Sequence, residues 1–278
     1  MKTIRLSALL IIIAGASIHA QTLKANDIFQ KSVDSIGKKE DRDALQTMMA
    51  IGLAEFESNS PVVKGGGRTI IVSDPANLFF VISLNSKQYP FEKIGFFNGK
   101  VSLPFIDQAN RSVLGSFLAA HQNIIDDGLI GGELSKRWPL YSPDQVKVKT
   151  EVQGIKSIDG RKLYTVVYGA HSTGSGEFQV KLYFDPETFR HVRTEYKYQV
   201  FPQDSTNMGT QNLRSMSYLT IREDFDDFKA VEKLTLPFSY KLTLISNGST
   251  GDYMNTWNVR IGRYVFNQKL SPDFFTFD

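Results

Sequence analysis

The segment from Val180 to Val200, VKLYFDPETFRHVRTEYKYQV, concentrates residues that could do chemistry. Asp185, Glu187, His191 and Glu195 lie within eleven positions of one another. Carboxylates and a histidine this close can serve general acid–base catalysis, and with the right geometry they can bind a metal ion. Whether they do either depends on where their side chains point, and therefore on the elements that carry them.

Side-chain alternation in this segment predicts a hairpin instead of a site. Successive residues of a strand point to opposite faces, so Glu195 shares a polar face with Arg193 and Lys197, where a cross-strand charge pair is expected. Asp185 and Pro186 have the residue types that favour the first two positions of a turn. The opposite, apolar face of the two predicted strands consists of Val180, Leu182, Phe184, Val192, Thr194, Tyr196, Tyr198 and Val200.

Other candidate residues have a structural interpretation as well. His171 and Ser172 lie in HSTGSGE, which lacks the strand-to-helix elbow that a serine nucleophile requires. His121 lies on the apolar stripe of a predicted helix and is interpreted as a packing histidine. A hydrolase that uses Ser172 and His171 is the third hypothesis for function.

Neither a metal site nor a phosphate site is predicted. The acidic run Glu223, Asp224, Asp226 and Asp227 lacks the glycine and the spacing of a calcium loop, and it is predicted as a solvated strand end. The glycines at positions 65–67 are interpreted as a turn, since no phosphate-binding or dinucleotide fingerprint surrounds them. We therefore predict no catalytic residue, no metal and no cofactor.

Two amphipathic helices and about eleven strands are predicted to position these residues. The first helix spans Leu23–Ile36, and the second runs from near Asn110 to near Gly128 with apolar residues at helical spacing. A long connection, Leu129–Pro143, follows the second helix. The predicted strands are Thr47–Phe56, Arg68–Ser73, Leu78–Leu84, Phe91–Phe97, Val146–Val152, Leu163–Tyr168, Phe178–Phe184, His191–Val200, Met216–Phe225, Leu236–Ile245 and Trp257–Phe266.

The first twenty residues have the pattern of a secretory signal peptide. Lys2 and Arg5 precede a short apolar run, and small residues follow, with cleavage after Ala16 or Ala20 left open. Without those two basic residues the chain holds 30 basic and 29 acidic residues, which offers no argument for binding nucleic acid. There are no cysteines, so disulfides and attachment of lipid to a cysteine are excluded. We expect one exported, periplasmic domain at residues 21–278.

The strand pattern predicts a mainly β fold with some α. Hairpin turns between the strands indicate a strongly curved antiparallel sheet. We expect an unclosed half-barrel of about eleven strands whose apolar concave face is covered by the amphipathic helices. Such an arrangement can leave a hydrophobic cavity between helix and sheet.

Several stretches resemble the LolA-like proteins, a group that includes outer-membrane lipoprotein-sorting proteins. The similar stretches begin with LKANDIFQKSVDSIGKKEDRDALQTMMAIGLAEF, and later ones are LYFDPETFRHVRTEY, DFKAVEKLTLPFSYKLTL and VFNQKLSPDFFTF. Lys38 and Glu232-Lys233 depart from the pattern, at positions where a glycine and an Asp-Gly turn are common. The residues that match are Gly37, Asp185, Pro186, Thr188, Asp227, Phe228, Leu236, Pro237, Phe238, Asn267, Pro272, Asp273 and Phe275.

The resemblance implies a half-barrel with a helical lid that shields acyl chains in the periplasm. The hypothesis is therefore a monomeric carrier for a lipid, a lipoprotein acyl chain or a similar amphiphile, with an envelope membrane protein as a further partner. The alternative is a protein-interaction or envelope-stress sensing module that uses the same fold as a docking surface. The helical stripe and the strand alternation predict the cavity lining: Phe117, Leu118, His121, Ile125, Leu182, Tyr196 and Tyr198.

Overall fold

A computed structural model describes residues 23–173, 176–200, 217–247 and 252–277. The predicted signal peptide at residues 1–20, with both of its cleavage positions, lies outside the described residues. The side chains of His171 and Ser172 also lie outside that description. No helix in the described part of the chain is both long enough and apolar enough to cross a bilayer.

Twelve antiparallel strands of the described residues form one sheet, which confirms the predicted fold class. The two strands at its ends do not pair with each other, so the sheet is unclosed. Strand β1 pairs with β12. This pairing joins an early half of the sheet, β1 to β5, to a late half, β6 to β12. The strands are β1 (Met48–Asn59), β2 (Val62–Ser73), β3 (Leu78–Leu84), β4 (Phe91–Phe97), β5 (Lys100–Ser102), β6 (Thr150–Ile158), β7 (Arg161–Thr173), β8 (Gly176–Phe184), β9 (His191–Val200), β10 (Ser217–Val231), β11 (Leu234–Asn247) and β12 (Tyr253–Phe266), and their order in the sheet is β5-β4-β3-β2-β1-β12-β11-β10-β9-β8-β7-β6.

Most predicted strands are present with shifted ends. The twelfth strand, β5, has only three residues, which is too short for a recognisable alternation. The prediction began strand β6 at Val146, but the strand begins at Thr150. The short helical turn Pro143–Gln145 and four residues without regular structure precede it. The glycines at 65–67 lie inside β2, so their interpretation as a turn is wrong; the turn is Ser60-Pro61, between the paired residues Asn59 and Val62.

One side of the sheet is covered by helical elements. Helix α1 (Ala25–Ile36) buries Ile28, Phe29, Val33 and Ile36 in the main core, and the short helix α2 (Lys39–Asp43) follows it. The remaining cover is residues 113–145, which we call the lid segment. It consists of α3 (Val113–Ala120), α4 (Asn123–Asp126) and three single 3-10 turns, Gly132–Leu134, Pro139–Tyr141 and Pro143–Gln145.

The second predicted helix is therefore two short helices and not one continuous helix. Ser112, not Asn110, caps α3: its Oγ accepts a hydrogen bond from the Gly115 amide at 2.8 Å. The helix ends at His121, whose φ of −128° is not helical. Because both pieces pack their apolar residues on the sheet, the periodic pattern continues across a break that periodicity alone does not reveal.

The Asp185 turn forms as predicted. The Oδ1 atom of Asp185 accepts hydrogen bonds from the amides of Glu187 at 3.1 Å and Thr188 at 2.9 Å. A register shift next to this turn, between Tyr183 and Phe184, moves one residue of the neighbouring strand, Val192, away from the inner face of the sheet. Val192, predicted on the apolar inner face, packs instead with Tyr183 in a separate small cluster. His191 takes the inner position and is fully buried.

Two glycines of β2 provide a matched test of strand packing. A Cβ atom added to Gly67 would lie 1.8 Å from the Ser83 carbonyl oxygen of β3, whereas one added to Gly66 would meet no atom within 4 Å. Gly67→Ala must displace backbone, so we expect it to lower the free energy of unfolding by about 3 kcal/mol. Gly66→Ala should change it by less than about 1 kcal/mol. Denaturant unfolding of both variants measures this, and equal effects would contradict the close packing of β2 on β3.

Candidate functional site

The seven predicted lining residues lie at the contact between the lid segment and the sheet. Phe117 and Leu118 belong to α3, and Ile125 belongs to α4; all three are buried. Leu182 in β8 and Tyr196 in β9 have no exposed surface. The interface is closed at these five positions, and their side chains pack as part of the main core.

His121 is the centre of an aromatic cluster that joins the lid segment to the sheet. Its imidazole is stacked on the ring of Phe178, with 4.8 Å between centroids and 12° between planes. The rings of Phe117 and Tyr198 lie 4.6 and 4.7 Å from it. Burial lowers the pKa of His121, so the ring is neutral at pH 7 and packs as an aromatic surface. Phe178 was not among the predicted residues, although it continues the alternation of Val180 and Leu182.

Tyr196 contributes to a buried polar network instead of an open wall. Its hydroxyl donates a hydrogen bond to Glu223 Oε2 at 2.7 Å. The Tyr240 hydroxyl donates to Glu223 Oε1 at 2.8 Å, and the amide of Gly131, in the lid segment, donates to the same oxygen at 2.7 Å. The prediction that Glu223 belongs to a solvated strand end is therefore wrong. One carboxylate from β10 connects β9, β11 and the lid segment.

The sequence did contain a signal for this buried carboxylate. Ile221, Glu223 and Phe225 alternate along β10, and both apolar neighbours are buried. Alternation therefore places Glu223 on the inner face, whereas the acidic character of the run indicated a solvated end. Its neighbour Asp224 points the other way and pairs with Arg193. The residues of the acidic run therefore alternate between the two faces of the sheet, which their residue types alone do not reveal.

A second buried cluster surrounds His191. Its Nε2 lies 2.9 Å from Thr194 Oγ1, and its Nδ1 lies 3.9 Å from Glu133 Oε1. The order Thr194, His191, Glu133 is that of a nucleophile, a base and an orienting carboxylate. The second separation is too long for a hydrogen bond, and the three residues are at most 1% exposed, so no substrate reaches them in this conformation.

Burial shifts the pKa values of the ionisable side chains in these clusters towards their neutral forms. It lowers the pKa of His191 to about 3 and raises the pKa of Glu133 to about 8. The same cause raises the pKa of Glu223 to about 7, against the opposing effect of its three donors. A third buried carboxyl, Glu92 in β4, has a pKa raised by burial to about 8 and accepts a hydrogen bond from Ser112, at the start of α3. In the described part of the chain, no three such side chains are grouped as a metal site would need.

An open cleft lies where the lid segment meets the rim of the sheet. Its volume is about 440 Å³, within the usual range for ligand pockets. None of the seven predicted residues lines it. Tyr168, which does, lies on β7, the strand next to the one that carries Phe178 and Leu182. The lining consists of Pro75, Asp127, Lys136, Arg137, Trp138, Pro139, Tyr141, Ser142, Gln145, Val146, Lys147, Val148 and Tyr168.

This architecture defines a class of protein: an unclosed antiparallel sheet with a helical lid and a cleft at its rim. Solved structures with a similar architecture include an outer-membrane lipoprotein-sorting protein domain from Vibrio parahaemolyticus, at 9% identity and a TM-score of 0.43, covering 90% of this chain and 95% of the other. A LolA superfamily protein from Nitrosomonas europaea is 12% identical, with a TM-score of 0.44 and coverage of 91% and 98%.

A DUF1329 family protein from Desulfovibrio piger is 11% identical, with a TM-score of 0.41 and coverage of 90% and 96%. Two of these solved structures bear the name of the group that the sequence motifs resemble. All three TM-scores lie below 0.5, so these likenesses decide nothing about the function of this chain. No family model and no curated protein matches the chain.

The Glu223 network gives a prediction about attachment of the lid segment. Glu223→Ala removes the acceptor of three buried donors, so we expect the free energy of unfolding to fall by several kcal/mol, about 1 to 3 for each unpaired group. Glu223→Gln keeps an acceptor oxygen for Gly131 and Tyr240, and its amide can donate to Tyr196. We expect that variant to lose less than half as much. Denaturant unfolding and amide exchange at Gly131 measure the difference, and equal losses would contradict the network.

The raised pKa of Glu92 predicts a pH dependence of stability. A carboxyl whose folded pKa lies above its unfolded value stabilises the fold fully at low pH, and this contribution disappears as pH rises through the folded pKa. His191 is neutral in the folded state, and its unfolded form loses its proton around pH 6.5, so it opposes this slope up to about pH 7.5 and does so equally in a Glu92 variant. We expect the free energy of unfolding to fall between pH 6.5 and 8.5, by up to about 1.4 kcal/mol per pH unit for each such carboxyl.

Glu92→Gln is the test of that slope. It imitates the protonated carboxyl, so the variant should fall less steeply than the unmodified protein between pH 6.5 and 8.5. Near pH 5 the two should be similarly stable. Urea unfolding at several pH values measures both curves, and parallel curves would show that Glu92 does not titrate in this range.

Proposed function

We propose that this protein binds a lipid, a lipoprotein acyl chain or a similar amphiphile in the periplasm and acts as its carrier, without catalysis. The amphiphile is held between the curved sheet and the lid segment. The observation that carries the proposal is the open cleft of about 440 Å³ at the lid–sheet junction, with apolar wall residues that include Trp138, Val146, Val148 and Tyr168. An open, partly apolar cleft beside an apolar interface suits a ligand with a long hydrocarbon part.

The aromatic cluster around His121 is the proposed continuation of this site. Tyr168, in the cleft, and Phe178, in the cluster, lie on adjacent strands. The seven predicted residues remain the proposed lining, reached when the lid segment moves away from the sheet. The short helices of that segment, separated at His121 and at Gly128, provide places where it can bend.

Energetics accounts for a carrier without reactive groups. Each buried methylene contributes about 0.8 kcal/mol, so a chain of about twelve carbons gains on the order of 10 kcal/mol from burial alone. A bilayer offers the same gain, so a carrier has to match the membrane only roughly and can then release its cargo. Polar groups are needed for orientation and not for affinity.

Bound cargo is the direct test. We expect organic extracts of protein purified from its native host to contain an amphiphile at close to one molecule per chain, measured by mass spectrometry. The stripped protein should take up a fluorescent fatty acid. Val148→Asp places a charge in the wall of the cleft and should weaken uptake at least tenfold, whereas Val62→Asp, at a position 78% exposed, should not. Reproducibly empty protein that also takes up no fatty acid would refute the carrier function.

A second candidate is the protein-interaction or stress-sensing module. The specific observation in its favour is the edge strand β6, which among the described residues pairs on one side only, with β7, and exposes 49% of Ile155. An open edge can accept a strand from a partner such as an envelope membrane protein. A pull-down that yields one stoichiometric protein partner, unchanged after removal of lipid, would favour this function over the carrier.

A further inference from the structure

The residues that line the cleft at the lid–sheet junction carry an excess of positive charge. Among the described residues that line it, three carry a positive charge, Lys136, Arg137 and Lys147, and one carries a negative charge, Asp127. The chain as a whole is nearly neutral once the first twenty residues are set aside. The excess of positive charge is therefore a local property of this cleft.

Two of these cations are held in place by the lid segment and its surroundings. The guanidinium of Arg137 donates hydrogen bonds to the carbonyls of Ile125 at 2.7 Å and Asp126 at 2.9 Å, at the end of α4. The ammonium of Lys136 donates to the Arg42 carbonyl at 3.0 Å and lies 5.0 Å from the centroid of the Tyr141 ring. Side chains that are already ordered lose less conformational entropy when they bind a ligand.

Carboxylates act on both cations through Coulombic attraction. Asp43 acts on Lys136, and Asp74, Asp126 and Asp127 act on Arg137. Burial lowers the pKa of Lys136, and it lowers the pKa of Arg137 to about 10. Partly desolvated cations favour an anion that can reach them.

Apolar surface lies directly beside these charges. Val146 and Val148 flank Lys147 in sequence, and Trp138 follows Arg137. All of them line the cleft, together with the buried ring of Tyr168. A ligand that fills the cleft therefore meets cations at some of its atoms and hydrocarbon or aromatic surface at others.

We propose that the cleft binds the head of an anionic amphiphile, with a carboxylate or phosphate group at Lys136 and Lys147 and the start of its hydrocarbon chain against Val146, Val148 and Tyr168. This inference rests on the proposed carrier function and narrows the cargo to one charge class. Arg137 shapes the cleft by binding the end of α4, and its positive charge adds to the attraction. The anionic group orients the amphiphile so that its chain points towards the lid–sheet interface.

Four amphiphiles with the same dodecyl chain test the inference: dodecanoate, dodecyl phosphate, dodecyl maltoside and dodecyltrimethylammonium. Isothermal titration calorimetry of the stripped protein, below each critical micelle concentration, measures their affinities. We expect the two anionic compounds to bind at least tenfold more tightly than the neutral one, and the cationic one to bind most weakly. Inorganic phosphate alone should compete poorly, because it lacks the chain.

Charge-neutralising variants locate the effect. Lys147→Met removes an exposed cation of the cleft and should lower the affinity for dodecanoate and dodecyl phosphate at least fivefold, with little change for dodecyl maltoside. Lys149→Met makes the same charge change at an exposed residue outside the cleft and should have no effect. Lys136→Met should act like Lys147→Met if its melting temperature is unchanged, and Lys147→Met alone decides the matter if Lys136→Met unfolds.

The outcomes separate the inference from the function on which it rests. Equal binding of the neutral and anionic compounds would overturn the anionic preference and leave the carrier function standing. A preference for anionic compounds that Lys147→Met and Lys149→Met reduce equally would also overturn the assignment to this cleft. Inorganic phosphate that competes for the cleft as well as dodecyl phosphate would overturn the inference, because the cleft would then bind anions without regard to a hydrocarbon chain. Failure of all four compounds to bind would refute the carrier function itself.

Discussion

An antiparallel sheet of twelve strands with one apolar face must cover that face, and the rest of the structure follows from this requirement. The covering elements are α1, which packs on β6 and β11 of the late half, and the lid segment, which contacts β1, β4 and β5 of the early half and β11 of the late half. Burial of apolar surface is the main source of stability in such an arrangement, at about 25 cal/mol per Å². A cover made of short pieces separated at His121 and Gly128 can follow a curved surface that one straight helix could not follow.

Some of the polar groups under this cover connect it to the sheet through hydrogen bonds. Glu223 illustrates the principle: its carboxylate accepts three hydrogen bonds, and it thereby makes the position of Gly131 depend on β9, β10 and β11 together. Glu92 and Ser112 make a similar connection directly before the lid segment begins. Buried polar contacts therefore determine where the lid segment lies, whereas apolar contacts supply most of the driving force for covering the sheet.

The contrast between this filled interior and the cleft supports the proposed division of roles. Under the lid segment, side chains fill the space around the predicted lining residues. At the rim, Lys136 and Arg137 are partly buried beside the apolar walls of the cleft. In the proposed cycle an amphiphile enters at the rim, and displacement of the lid segment gives its chain access to the aromatic cluster of His121.

Local sequence pattern determined the fold class, most of the strands, the Asp185 turn and the polar orientation of Glu195, because alternation and turn chemistry are short-range properties. It also placed His121, Phe117 and Tyr198 on faces that meet. Only the tertiary structure decided the break at His121, the inward position of His191, the burial of Glu223 and the place of the cleft. These depend on which strands are neighbours across the sheet and on how the lid segment crosses them, and residues as distant as Gly131 and Glu223 leave no local trace of their contact.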